Sequence, residues 1–305
     1  MSAFPGPPPG VEPGMVPAAT CTWHPDRATG LRCTRCGRPA CPDCLTPASV
    51  GFHCRQCVAE GRAAVPAPRT VSGSRLGQLP RVTATLIAIN LVVFVVCAVQ
   101  AKSLAAPSDS AVFQQGALIP DLAGAGQVWR LITSGFLQFN IPHIALNMLS
   151  LYLLGMPMER IVGRGRFLVI YLLSLLGGSV SVLLFSASTA FTAGASGAIF
   201  GLLGGLFITF RRMRLDPRQI VIVLVLNLVL TFSLSGISWQ AHLGGLAVGT
   251  AAAAVMVYGP QERRRQRQVL GSLGLLALLV VITVGWMFIH HSDYCGITGG
   301  YFSPC

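Results

Sequence analysis

From residue 82 onward, apolar positions come in long unbroken blocks separated by short polar connections, rather than in the alternating faces of a water-soluble fold. A helix needs about 20 mostly apolar residues to cross a bilayer. Seven blocks are candidates: Val82–Ala101, His143–Met158, Phe167–Ala187, Ser196–Arg211, Ile220–Gly236, Trp239–Tyr258 and Val269–Ile289. The second and fourth are short and start on polar residues. Between the first two blocks, Ser103–Ile141 mixes Pro107, Pro120, Gly124 and Gly126 with Phe113, Trp129, Phe136 and Phe139. That pattern is too broken to span, and it predicts an interfacial loop with short helices. The chain before residue 82 reads differently. Residues 1–20 are rich in Pro, Gly and Ala without apolar periodicity, which predicts a disordered leader. No basic segment followed by an apolar one marks a secretory signal there. Residues 21–61 are short, polar and Cys-rich, and 62–80 form a Pro/Ser/Gly/Arg linker.

Composition supports the membrane reading. Of 305 residues, 52% are hydrophobic and only 10% charged, against about 25% charged in an average soluble domain. A fully water-exposed surface cannot be built from that. The net charge of +12 comes from 22 Lys+Arg against 10 Asp+Glu, and the basic residues fall in alternate connections. Arg69, Arg75 and Arg81 precede the first block. Arg160, Arg164 and Arg166 follow the second, Arg211, Arg212, Arg214 and Arg218 the fourth, and Arg263, Arg264, Arg265 and Arg267 the sixth. The opposite side carries Lys102 and Arg130. The positive-inside rule then predicts a multi-pass protein of the cell membrane with its N-terminus in the cytoplasm and, after seven spans, its C-terminus outside. The run from Arg263 to Arg267 is explained as a stop-transfer flank, so nucleic acid is disfavoured as its partner. The preference for Arg over Lys, with abundant Ala, Gly and Pro, points to a GC-rich bacterial genome.

In this orientation the second, fourth and sixth blocks run from outside to inside, and their first turns lie at one depth. Those turns hold His143 and Asn147, Ser196, and His242. Polar groups at such depth are costly and mark function. Spaced four apart, His143 and Asn147 share a helical face. Ser196 lies in Gly194-Ala195-Ser196-Gly197, a loop-to-helix transition where glycine permits a tight turn and the free N–H groups can receive an oxyanion. His242 is the candidate base for the Ser196 hydroxyl. Gly197, Gly201, Gly204 and Gly205 opposite Gly245 and Gly249 would let the two helices approach closely. No acid completes a triad, because Asp109, Asp121, Glu159, Asp216, Glu262 and Asp293 all lie away from the depth of Ser196. His143 and Asn147 are candidate oxyanion donors.

Trp129-Arg130, His143-x-x-x-Asn147, Gly194-x-Ser196-Gly197 and Ala241-His242-x-Gly244-Gly245 together resemble the rhomboid family of intramembrane serine proteases, over about Arg81 to Tyr258. The resemblance implies a Ser196–His242 dyad that cuts transmembrane or juxtamembrane segments of membrane proteins, with His143, Asn147 and the Ser196 backbone as oxyanion hole and no catalytic cofactor. It also implies structural roles for Trp129 and Arg130 in the interfacial loop, and for Glu159 as a buried hydrogen-bonding group. One departure stands out. Where many bacterial members carry a tyrosine four residues after the nucleophile, this chain has Phe200. Both dyad residues are present, which weighs against the competing reading of a noncatalytic rhomboid-fold protein that binds clients.

The N-terminal cysteines form four doublets of one spacing: Cys21-x-x-His24, Cys33-x-x-Cys36, Cys41-x-x-Cys44 and Cys54-x-x-Cys57. Each is a two-ligand knuckle, and eight ligands make two tetrahedral zinc sites. About 40 residues cannot build a sufficient core without such staples, so the zinc is expected to be structural. Which knuckles pair stays open from spacing. A cross-braced arrangement, first with third and second with fourth, resembles B-box and related binuclear domains. His53 reads as a bystander. The expected partner is a cytoplasmic protein; Arg27, Arg32, Arg35, Arg38 and Arg55 leave nucleic acid or anionic lipid a minor alternative. Cys97 reads as apolar filler, while Cys295 and Cys305 could form a disulfide outside.

The expectation is therefore an all-α polytopic membrane protein, a rhomboid-like six-plus-one helix bundle with a small N-terminal binuclear zinc domain. The expected division is a leader (1–20), a B-box-like zinc domain (21–61), a linker (62–80), a six-helix protease core (81–259), and a seventh transmembrane helix with an extracytoplasmic tail (260–305).

Overall fold

The structure, a computed structural model, describes residues 19–65, 70, 79–234, 236–258 and 262–290, and the backbone of 297–298 and 301–302. Most of the expected leader and linker, and both Cys295 and Cys305, lie outside the described residues. Two compact units divide the chain, Met1–Ala67 and Pro68–Cys305.

The first unit has two small antiparallel hairpins and one helix. Strand β1 (Thr20–Cys21) pairs with β2 (His24–Ala28), and β3 (Leu45–Pro47) pairs with β4 (Phe52–Cys54) in the register Leu45 to Cys54, Thr46 to His53 and Pro47 to Phe52. Helix α1 (Arg55–Ala64) follows directly and runs past Gly61. Its buried centre is made of sulfur more than hydrocarbon. Cys21, Ala40, Cys41 and Cys44 form one cluster and Cys33, Cys54 and Cys57 another, each flanked by the partly buried Trp23 and Leu45.

The second unit is helical. Helix α2 (Arg81–Ala101) is followed by the broken stretch, which folds as α3 (Ala111–Gly116), α4 (Pro120–Gly124) and α5 (Arg130–Thr133). Then come α6 (Ile141–Val162), α7 (Arg164–Phe185), α8 (Ser196–Met213), α9 (Arg218–Ser233), α10 (Trp239–Val257) and α11 (Arg264–His290). Backbone pairing of β5 (Ile297–Thr298) with β6 (Tyr301–Phe302) ends the described chain. Each of the seven apolar blocks thus carries a helix. Five of them, α2, α6, α7, α10 and α11, are long and apolar enough to cross a membrane. Helix α9 has 16 residues, and α8 is diluted by glycine and by Arg211 and Arg212 at its end. Because Gly197 to Leu206 of α8 are almost all buried among other helices, that helix meets little lipid and does not need a strongly apolar surface.

Helix α6 is longer than the apolar block at both ends, since polar groups there are satisfied rather than exposed. Asn140 caps it by accepting a 2.9 Å hydrogen bond from the His143 N–H. At the other end the buried Glu159 carboxylate accepts from the backbone N–H groups of Val82 and Thr83 and from the Thr83 hydroxyl, at 3.0, 2.7 and 2.7 Å. It thereby satisfies the first N–H groups of α2, which have no partner within their own helix.

The core lies where α6, α7, α8 and α10 meet. Leu151, Met158, Val162, Phe167, Ile170, Leu202, Ala252 and Ala253 are fully buried there. Glycine makes the approach close. A Cβ on Gly245 would collide with the Gly197 carbonyl, and one on Gly249 with the Gly201 backbone. On the other side of α10, a Cβ on Gly244 would stand 2.5 Å from the Gly177 carbonyl. Helix contacts of this kind replace the hydrophobic drive that is missing in lipid. The faces turned away from the core are apolar and exposed, as with Val95 and Val99 on α2, Val225 and Val229 on α9, and Val281 and Phe288 on α11. Such surfaces suit hydrocarbon as solvent.

Candidate functional site

The candidate nucleophile sits where a restrained loop enters α8. Leu118 and Thr192 exchange two backbone hydrogen bonds of 2.9 Å, and the Gly194 N–H donates to the Ser134 carbonyl at 2.9 Å. Gly194 itself has φ of +134°, where a side chain is strained, and a Cβ there would lie 2.9 Å from His143 Cε1 and 3.0 Å from its Nε2. These restraints deliver Ser196 as the first residue of α8, so its N–H lies among those that no helical carbonyl can reach.

Across the α8–α10 contact, Ser196 Oγ lies 2.8 Å from His242 Nε2. The His242 ring is buried and stacks on Phe200 with centroids 4.1 Å apart and planes inclined by 16°. Phe200 thus sets an aromatic ring against His242 without a hydroxyl. The second ring nitrogen, Nδ1, lies 2.8 Å from the Thr231 hydroxyl of α9. Among the described residues, the hydrogen-bond partners of the His242 ring are Ser196 and Thr231, and neither is a carboxylate.

His143 and Asn147 face the same place from α6. The Phe139 N–H donates to His143 Nδ1 at 3.3 Å, and the two rings stack 5.7 Å apart. An acceptor Nδ1 assigns the proton of the neutral ring to Nε2, on the side of the ring that borders Gly194. Asn147 donates one amide hydrogen to Gln138 Oε1 at 2.8 Å, and among the described residues its other amide hydrogen has no acceptor. Gln138 in turn donates to Asn90 Oδ1 at 3.0 Å, and Asn90 to the Leu86 carbonyl at 2.9 Å. All three amides are buried, so the orientation of Asn147 is fixed by a chain reaching into α2.

Trp129 and Arg130 hold the loop together. The Arg130 guanidinium donates to the carbonyls of Gln114 and Ala117 at 2.8 and 2.6 Å and to Gln127 Oε1 at 2.8 Å, while Trp129 Nε1 donates to the Gln115 carbonyl at 3.2 Å. They tie α5 to the end of α3, beside the Leu118 that pairs with Thr192.

The residues that sequence reasoning missed are Thr231, Gln138, Asn140 and Thr192. Asn140 carried a legible cap signal, three residues before His143. The others touch the site only through tertiary contacts, and nothing in local spacing marks them.

In the first unit the four knuckles gather into two clusters that could hold a metal ion: Cys21, His24, Cys41 and Cys44, and Cys33, Cys36, Cys54 and Cys57. First pairs with third and second with fourth. His24 Nδ1 lies 3.8, 3.3 and 3.4 Å from the sulfurs of Cys21, Cys41 and Cys44, and Cys36 Sγ lies 3.8 Å from Cys54 Sγ. A tetrahedral zinc ion with bonds of about 2.3 Å to sulfur and about 2.0 Å to nitrogen has edges of about 3.5 to 3.8 Å, so the donor set fits that ion. Two thiols receive donors: the Cys54 N–H donates to Cys33 Sγ at 3.2 Å and Arg55 Nη2 to Cys44 Sγ at 2.9 Å. Burial, with the neighbouring thiols of Cys36, Cys54 and Cys33, pushes the Cys57 thiol up to about 12.

Comparison with known proteins agrees with the bundle. Residues 125–259 match the Rhomboid domain model. The chain is 36% identical over 178 residues to Rhomboid protease GluP of Bacillus subtilis (strain 168), covering 57% of this chain and 34% of that protein. It is 36% identical over 138 residues to RHOMBOID-like protein 4 of Arabidopsis thaliana, covering 43% and 35%. Over 143 residues it is 33% identical to the putative rhomboid protease YdcA of B. subtilis (strain 168), covering 45% of this chain and 72% of that protein. The match thus spans only about a third of the first two relatives but most of the third. With its helical bundle and this similarity, the chain belongs to the rhomboid family.

Proposed function

We propose that the protein is an intramembrane serine endopeptidase that cuts transmembrane or juxtamembrane segments of other membrane proteins. The observation that carries this reading is the 2.8 Å approach of Ser196 Oγ to His242 Nε2, at the start of a helix and beside two further donors. Ser196 Oγ attacks the scissile carbonyl carbon while its proton passes to His242 Nε2. Charge builds on the carbonyl oxygen and is received by the Ser196 N–H, His143 Nε2–H and the free Asn147 amide hydrogen. His242 returns the proton to the leaving amine, an acyl group stays on Ser196, and water activated by the same imidazole releases it. No cofactor enters these steps.

Each N-terminal cluster is proposed to bind one structural zinc, since four protein ligands fill a tetrahedral ion and leave no place for water. The zinc unit (21–61) would then serve a cytoplasmic partner, joined by a linker (62–80) to the protease core (81–259), with 260–305 adding an extra span and an outer tail. The arginine pattern supports insertion in the cell membrane with the N-terminus inside.

Purified protein should react with a serine-directed fluorophosphonate probe and cleave a model transmembrane substrate. Ser196→Ala and His242→Ala should abolish both reactions, and Asn147→Ala should slow cleavage about 100- to 1000-fold. Cleavage that persists in Ser196→Ala would overturn the mechanism.

A further inference from the structure

The dyad leaves one question open, namely what holds the imidazole of His242 in the form that can accept a proton. Resting on the protease reading above and deepening it, we infer that Thr231 is a positioning residue that keeps the proton of neutral His242 on Nδ1, leaving Nε2 free to act as base.

One line of hydrogen bonds fixes where each proton sits. Thr231 Oγ1 lies 2.6 Å from the Asn227 carbonyl oxygen, one turn back on α9. Two oxygens at that distance require a hydrogen between them, and a carbonyl cannot supply it. The single hydroxyl hydrogen of Thr231 is therefore spent on Asn227. On its other side Thr231 Oγ1 lies 2.8 Å from His242 Nδ1, so there it can only accept, and Nδ1 must carry the hydrogen. A neutral imidazole has one N–H, which leaves a lone pair on Nε2, and Ser196 Oγ donates to it at 2.8 Å. The line runs from the Ser196 hydroxyl through His242 and Thr231 to the Asn227 carbonyl with every donor matched to an acceptor.

Burial makes this choice binding. Thr231 is 4% and His242 7% exposed, so water does not compete for Nδ1. The ring meets Ser196 and Phe200 from α8 and Thr231 from α9, and His143 of α6 is the titratable neighbour that acts on it. None of these offers a carboxylate. A neutral hydroxyl, itself polarised by a helix carbonyl, takes the orienting place that an aspartate holds in a Ser-His-Asp triad. After proton transfer the same oxygen still accepts from Nδ1–H of the imidazolium.

The inference is tested with full-length protein in detergent, comparing wild type, Thr231→Val and Thr231→Ser. Valine keeps the shape and removes the acceptor; serine restores it. With 15N-labelled histidine, and the His242 signals identified by their loss in His242→Gln, the nitrogen shifts report the tautomer without any turnover. Wild type should show neutral His242 protonated on Nδ1. In Thr231→Val the population should move to Nε2–H, with kcat down about tenfold and KM within about twofold, and Thr231→Ser should recover both. Wild-type His242 protonated on Nε2, or a tautomer and kcat unchanged in Thr231→Val, would overturn the inference. Failure of the protease reading looks different: wild type would not label with the fluorophosphonate probe, while the tautomer measurement still gives its own answer.

Discussion

Gly194 illustrates how single residues are constrained around Ser196. Its φ of +134° and the position of His143 leave no room for a side chain, so Gly194→Ala combines backbone strain of about 1 to 3 kcal/mol with displacement of the His143 ring, the proposed oxyanion donor. Probe labelling should fall by more than tenfold while the helical circular dichroism of the bundle is kept. Ser196, His242, His143 and Asn147 were legible because polar groups in apolar blocks are costly and therefore conspicuous. Thr231 was not. A threonine in an apolar helix usually satisfies itself on the carbonyl four residues back, as Thr231 does on Asn227, and nothing in that local pattern shows that its oxygen also faces His242. Gln138 was hidden for a similar reason, because its partners Asn90 and Asn147 lie on two different helices.

Among the helices, two contacts set the geometry. The first is the glycine seam between α8 and α10, which brings Ser196 within reach of His242. A large side chain at Gly249 would press on the Gly201 backbone and force the helices apart. Gly249→Leu should cost at least about 1 to 3 kcal/mol and abolish labelling, both readable from thermal unfolding and probe reaction of one preparation. The second is the cap that Glu159 places on α2. Glu159→Gln keeps the shape but weakens three charge-assisted hydrogen bonds, so stability should drop by about 1.5 to 3 kcal/mol in denaturant unfolding, with His242 and Ser196 untouched. Helix positions followed from the apolar blocks, and the seam from the glycine pattern. The true ends of α6 did not, because Asn140 and Glu159 extend the helix through polar residues that hydropathy alone counts as its limits.

For the whole molecule, the two units rest on different chemistry. The second buries hydrocarbon and glycine surfaces between helices. The first buries thiols and little else, and metal would supply the stability that so small a core lacks. Metal analysis should return about two zinc ions per chain. Paired substitutions test the cross-brace: Cys21→Ser with Cys41→Ser falls in one cluster and should leave about one zinc, whereas Cys21→Ser with Cys54→Ser strikes both and should leave none. If neighbouring knuckles shared an ion instead, the first pair would also leave none.

The amino-acid sequence by itself determined where the helices lie, which residues stand out as polar in apolar surroundings, and that eight Cys and His side chains occur in four doublets of equal spacing, because these follow from local composition and spacing. Tertiary structure alone decided which knuckles share a cluster, which nitrogen of His242 faces Ser196, and what orients that ring. Those outcomes depend on distances between separate elements, such as Thr231 and His242 on two helices or Cys21 and Cys41 in two knuckles, and only close packing brings their atoms within the few ångströms at which hydrogen bonds and metal coordination operate.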